Sequence, residues 1–234
     1  MNKIIWLGAV VGLVILPACA ESGQEEQTTP TCVGVPTPAT PPCALTINES
    51  SFVRRAGVVT DGVSTGRVRH TRGRFCMSGK LDPGATNMNW GSLLILALTE
   101  RTPTGIAAPF TAAARDIAQV QFTVDPAPIA GLTVGFSAVQ RADCLTIPDC
   151  FTAASFFLMD SGTTETVITD SGIVTASLDS FRQPNWGDPA LSFDTNLITS
   201  LQFLPQMLPG VVLDYDFCVQ DVKFLDAAGT EVSR

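Results

Sequence analysis

The chain has 234 residues, 45% of them hydrophobic and only 15% charged, with a formal net charge of −8. That apolar fraction excludes a chain disordered throughout, and the acidic balance excludes a protein that wraps duplex nucleic acid, which must neutralise phosphates with Lys and Arg. A single His rules out a zinc site built on imidazoles, which needs two or three, and 13 Phe against one Tyr indicate a core of phenyl rings.

The first segment reads as an export signal. Met1-Asn2-Lys3 supplies a short basic start, and Ile4 to Leu16 is an apolar run too short to span a bilayer comfortably as a helix. It ends in Leu16-Pro17-Ala18-Cys19, which resembles the lipobox of bacterial lipoproteins: an aliphatic residue three before the Cys, a small residue before it, and the Cys itself. The resemblance implies that residues 1–19 are the signal and that Cys19 becomes a lipid-bearing N-terminus, with plain secretion as the alternative. Ala20 in place of Asp implies sorting to the outer membrane, so the expected location is extracytoplasmic and lipid-anchored, at a bacterial outer membrane or cell surface.

Residues 20–44 are polar and rich in Pro and Thr, as in Gln24-Glu25-Glu26-Gln27-Thr28-Thr29-Pro30 and Pro36-Thr37-Pro38-Ala39-Thr40-Pro41-Pro42. They hold too little apolar surface to offset chain entropy, and the prolines favour a semi-rigid spacer. Assigning Cys19 to lipid leaves six of the seven cysteines, Cys32, Cys43, Cys76, Cys144, Cys150 and Cys218. Six pair completely, and an exported chain sits where disulfides persist, although sequence alone does not choose among the connectivities. The expectation is local pairing for Cys32–Cys43 and Cys144–Cys150, leaving Cys76–Cys218 to tie an early strand to a late one.

Residues 45–234 fit one all-β domain. Ala118 to Val124 alternates strictly, with Val120, Phe122 and Val124 facing inward; Leu132 to Val139 alternates similarly; Trp90 to Thr99 is a nearly continuous apolar run; Leu197 to Leu204 and Tyr215 to Leu225 make further strands. Between eight and eleven strands are expected. In the last, the apolar phase slips from Tyr215, Phe217 and Val219 to Val222 and Phe224, which places a bulge near Gln220-Asp221. The best helical stretch, Thr111 to Ile117, is about two turns, with another turn at Asp194-Thr195-Asn196. Many short strands between Gly, Pro and Asp turns indicate an antiparallel β-sandwich or jelly roll.

Charge and catalytic patterns are weaker. Arg67-x-Arg69 and Arg72-x-Arg74 place their charges on one face of an extended strand, a surface for anions or a counterweight to the acidic second half. His70 lies in this stretch and reads as a surface residue. Asp160-Ser161-Gly162 and Asp170-Ser171-Gly172 look like active-site loops of pepsin-like proteases, yet ten residues of separation fit two neighbouring turns better than two lobes meeting at a cleft. No phosphate loop, dinucleotide fingerprint or serine-hydrolase elbow appears.

The order of fragments carries a further resemblance. Cys76-Met77-Ser78-Gly79, Trp90-Gly91 entering an apolar strand, Phe110 before a short turn, the close Cys144 and Cys150, Ser180-Phe181-Arg182-Gln183-Pro184-Asn185-Trp186-Gly187, Phe193-Asp194 and the closing Tyr215 to Phe224 follow in sequence. Together they resemble the carbohydrate-binding modules of the galactose-binding-like jelly-roll superfamily, especially those attached to bacterial endoglucanases. The resemblance implies a glycan or polysaccharide ligand held by ring stacking and hydrogen bonds, with Trp186, Tyr215, Arg182 and Gln183 as contacts and Trp90 in the core. It also implies a structural calcium at one edge, held by Asp221 with Glu49 or Asn48 and by Asp61, although Gln220-Asp221 stands where many members carry two acids. The expectation is thus a noncatalytic, lipid-anchored glycan-binding domain; the alternative is a structural or protein-interaction lipoprotein that has lost the sugar site.

Overall fold

The computed structural model describes residues 52–84, 91–98, 110–130, 132–140, 155–160, 164–183, 192–206 and 208–233, with strand backbone also assigned at 27–28, 32–33 and 43–46. Its strands are β1 (Gln27–Thr28), β2 (Cys32–Val33), β3 (Cys43–Thr46), β4 (Arg55–Thr60), β5 (Thr65–Thr71), β6 (Arg74–Leu81), β7 (Ser92–Ala97), β8 (Gln119–Val124), β9 (Val134–Gln140), β10 (Ser155–Asp160), β11 (Thr164–Glu165), β12 (Val167–Ile168), β13 (Gly172–Ser177), β14 (Phe181–Arg182), β15 (Ile198–Pro205) and β16 (Leu213–Leu225). They form two antiparallel sheets. One has seven strands in the order β1-β5-β6-β16-β8-β13, with β2 also on β5; the other has nine in the order β11-β10-β9-β15-β7-β4-β3, with β12 on β9 and β14 on β10. The expected all-β sandwich is therefore the observed architecture. Within the stretch read as a spacer, β1 and β2 pair with β5, and β3 begins at Cys43, two residues before the expected domain start.

Period-two patterning decides which face each strand buries. β8 turns Val120, Phe122 and Val124 inward, and Phe122 meets Phe136 and Phe203 of the opposite sheet at centroid distances of 4.8 and 5.1 Å. A second aromatic cluster joins Phe52, Phe110 and Phe224, each pair 5.2 Å apart, with the Arg115 guanidinium 5.5 Å from the Phe52 centroid. Edge-to-face contacts of this kind add to plain burial. The expected helix over Thr111 to Ile117 is a single 3-10 turn, Ala113–Arg115, closed by Asp116 in the left-handed region.

The bulge lies where the phase slip placed it: the β16 to β8 register shifts between Gln220 and Lys223, and Asp221 has φ 54°. It lets one strand turn Tyr215, Phe217 and Val219 inward along its first half and Phe224 along its second. The Arg72-x-Arg74 expectation is corrected. Arg72 (φ 47°) and Gly73 (φ 77°) form the tight turn between β5 and β6, so Arg72 is not on a strand face. His70 steadies this turn, its Nε2 accepting from Gly73 N at 3.1 Å and its ring stacking on Phe75 at 4.8 Å. Asp160 pairs with Thr164 across β10 and β11, while Ser161 and Gly162 of the first Asp-Ser-Gly motif lie outside the described residues; the second motif leads from β12 into β13. Cys76 and Cys218 are joined by a disulfide across β6 and β16; Cys19, Cys144 and Cys150, and the side chains of Cys32 and Cys43, lie outside the described residues.

Candidate functional site

Two of the four expected sugar contacts come together where the chain crosses between the sheets. After β13 it makes a 3-10 turn, Leu178–Ser180, started by the Ser177 hydroxyl, which accepts from Asp179 N at 3.3 Å. It then enters β14 at the edge of the nine-stranded sheet, with Leu178 and Phe181 buried and Arg182 exposed opposite Phe157. Arg182 Nη1 donates to the carbonyl of Phe181 at 2.8 Å and to that of Asp179, which fixes the guanidinium over the turn. Gln183 Nε2 donates to Ser155 O at 3.4 Å.

Arg182, Gln183 and Asp179 line a cleft of about 580 Å³ together with Ser192, Phe193 and Thr195, over a base of Phe156, Leu178 and Phe181. Phe193 is half-buried, stacked on Phe181 at 5.3 Å and tilted against Phe156 at 5.2 Å. Its segment is held by the buried Gln140, whose Oε1 accepts from Asp194 N at 2.8 Å and whose Nε2 donates to Ser192 O at 3.1 Å. Asp194 Oδ1 then accepts from Asn196 N at 2.8 Å, and Ala112 N donates to Thr195 O at 2.9 Å. The expected turn at 194–196 therefore forms and carries one wall of the cleft. Such a site offers a guanidinium, an amide, a carboxylate and two hydroxyls around a phenyl ring, the set that recognises a polyhydroxylated ring.

Tyr215 is not part of it, and its assignment as a stacking ring is corrected. It is 3% exposed, packed between the sheets, with its hydroxyl donating to Thr65 O at 2.9 Å. Gly66 and Gly79, paired with each other, make the space: a Cβ would stand 2.9 Å from the Tyr215 hydroxyl at Gly66 and 2.8 Å at Gly79. Burial raises the phenol pKa far above its ordinary value, opposed in part by the Ser92 hydroxyl. A ring enclosed in this way has no face to offer a sugar.

The calcium expectation rests in part on Glu49 and Asn48, which lie outside the described residues. Asp221 is an exposed bulge residue, and no group of three or more His, Cys, Asp or Glu able to hold a metal gathers among the described residues. Asp61 caps its own turn, accepting from Val63 N at 3.0 Å and Ser64 N at 2.8 Å, and also accepts from Gly91 N, just before β7, at 2.6 Å. Trp90 and Trp186 also lie outside the described residues. Phe193, Asp179, Ser192 and Thr195 are cleft residues that the sequence does not mark as contacts; the one signal for Phe193 is its place in the Phe193-Asp194 fragment ahead of a turn.

No protein-family model matches the chain, and no curated protein matches it. Among solved structures it is similar to a family 11 carbohydrate-binding module from Clostridium thermocellum, solved with a β-1,3-1,4-mixed-linked tetrasaccharide. The two share 12% identity over 74% of this chain and 82% of that one, with a TM-score of 0.39. It is similar also to the family 11 module of the cellulosomal cellulase Lic26A-Cel5E of the same organism, at 14% identity over 88% and 97% of the two chains, TM-score 0.38. A CBM4 structure shares 12% over 73% and 85%, TM-score 0.36. Likeness at this level carries no argument about ligand or site, and the sandwich stands on the chain's own strand pairing.

Proposed function

We propose that the chain is a noncatalytic glycan-binding domain of an exported, lipid-anchored protein, and that the cleft beside β14 is its binding site. The observation that carries the reading is the convergence of Arg182 and Gln183 on one cleft around the half-buried Phe193 ring. In this reading a pyranose lays its C–H face on Phe193, while Arg182 and Gln183 donate to ring hydroxyls and Asp179 accepts from them. The polar groups are tied to backbone in advance, so little side-chain entropy is lost on binding. The leader ending at Cys19 supplies export and anchorage.

The test is retardation of the protein in native gels cast with cellulose, xylan, mixed-linkage β-glucan or an acidic glycan. Retardation by at least one, weakened roughly tenfold by Phe193→Ala and by Arg182→Ala in protein that remains folded, is the expected result. Retardation by none overturns the reading. It would leave the structural or interaction lipoprotein, which the enclosure of Tyr215 favours by removing one large amphipathic aromatic from the surface. Anchorage is tested separately: Cys19→Ser is expected to abolish fatty-acid incorporation and to release the protein from the membrane fraction.

A further inference from the structure

β13 ends the seven-stranded sheet, and among the described residues its outer edge is open. Its pairing with β8 runs from Gly172 opposite Val124 to Ser177 opposite Gln119, and the next pair is bonded, Leu178 N donating to Ala118 O at 2.9 Å. Antiparallel alternation then bonds residues 172, 174 and 176 to β8 and turns the N–H and C=O of Ile173, Thr175 and Ser177 away from it. Among the described residues no strand pairs with that side. Ile173 is 71% exposed and Thr175 is exposed, so the edge faces solvent.

Edges of this kind are normally blunted by Lys, Pro, a bulge or extreme shortness. Gly172-Ile173-Val174-Thr175-Ala176-Ser177 has neither a charge nor a proline and runs six residues. The segments at the other described margins, β1, β2, β11, β12 and β14, are two residues each, and β3 is four.

We propose that β13 is a self-recognition edge along which two copies of the chain pair antiparallel, about a two-fold axis at Thr175. In that register Thr175 faces its counterpart in the second copy and Ile173 faces Ser177, so every outward N–H and C=O of the three residues is satisfied. The paired segment Gly172–Ser177 itself carries no charge, so no like charges meet along it. A slip by one residue would set the outward N–H and C=O groups of one copy opposite residues whose own N–H and C=O point back to β8. Opposed threonines are a favourable cross-strand pair. This self-complementarity selects a second copy over an unrelated strand.

A single strand pair is smaller than the interface of a permanent dimer, so association depends on concentration. Pairing also has a consequence that rests on the glycan reading. Leu178 and Asp179, which follow β13 directly, line the cleft. At about 3.3 Å per residue, Asp179 lies no more than about 13 Å along the chain from the axis. Two clefts thus stand close together and bind one polymer with higher avidity than either alone.

The test uses the full chain carrying Thr175→Cys, mildly oxidised and run on a non-reducing gel. The expected product is a disulfide-linked species of twice the chain mass, absent from wild type and from Val212→Cys, which is exposed but off the edge. Thr175→Pro removes an outward N–H, together with the exposed hydroxyl that accepts from Gln121 Nε2 at 3.0 Å, and is expected to shift the protein to monomer in sedimentation velocity at concentrations where wild type dimerises. Three results would overturn the proposal: no crosslink above the Val212→Cys background, an adduct of another mass that assigns the edge to a different protein's strand, or a dimer that survives Thr175→Pro. Should Thr175→Pro lower the melting temperature, the crosslink decides alone. None of these readouts involves a sugar, so failure of the cleft reading leaves them intact.

Discussion

Cys76 and Cys218 stand directly opposite one another on β6 and β16, joined by a disulfide that links positions 142 residues apart. The bond fastens two central strands of the seven-stranded sheet and closes most of the domain into one loop. A crosslink of this span restricts the unfolded chain strongly. Replacing both cysteines by Ser is expected to lower unfolding free energy by about 2–5 kcal/mol, read from urea midpoints. An unchanged midpoint would mean that the sheet does not depend on the bond.

Tyr215 and its two glycines form a lock at the same sheet. Tyr215→Phe keeps the ring and removes the hydroxyl that serves Thr65 O, so the expected loss is about 1 kcal/mol. Tyr215→Ala leaves a cavity as well and is expected to cost about 3–5 kcal/mol. Neither should change glycan retardation after correction for folding. Loss of retardation in folded Tyr215→Phe would return the residue to the binding site.

Much of this fold was legible where a physical period was long enough to read. Val120, Phe122 and Val124 alternate over a whole strand, and the phase slip in β16 exposed the bulge because Phe217 and Phe224 cannot share a face without an extra residue. The same phase placed Tyr215 with Phe217 and Val219, on the buried side; its amphipathic chemistry argued for the surface and lost to register. Arg72 was misread because a two-residue turn leaves no period, and Gly73 beside it was the available signal. The cleft was half legible. Arg182 and Gln183 came from a motif, whereas Phe193 sits in an irregular segment whose geometry is set by Gln140, more than fifty residues away in sequence.

Asp221 separates a conformational role from a metal-binding one. With φ at 54° it occupies backbone that Asn and Gly adopt easily and a β-branched residue does not. Asp221→Asn and Asp221→Gly are expected to stay within about 0.5 kcal/mol of wild type, and Asp221→Val to lose about 1–2 kcal/mol. Melting curves with and without calcium check the alternative. A calcium-dependent melting temperature that Asp221→Asn abolishes would show that the carboxylate serves as a ligand.

Glu165 sets a pH dependence. It lies on β11 beside Gly135, where a Cβ would collide with its Oε1, and that oxygen is buried with no hydrogen bond among the described residues. Burial raises its pKa above the ordinary 4.5, and a side-chain hydrogen bond with Gln206 opposes the shift. Gln206 is itself held by Thr133, whose Oγ1 donates to Gln206 Oε1 at 2.9 Å. The folded chain therefore keeps this proton to a higher pH than the unfolded chain. Between 4.5 and the raised folded value the folded state binds more protons, and this residue's contribution to stability falls as pH rises through that window. Glu165→Gln removes the charge and keeps the shape. Its melting temperature is expected to exceed that of wild type at pH 7, with the difference closing towards pH 4 as Glu165 becomes protonated. A difference that is constant with pH, or that grows on acidification, would show that the carboxylate is stabilised in the fold rather than opposed by it.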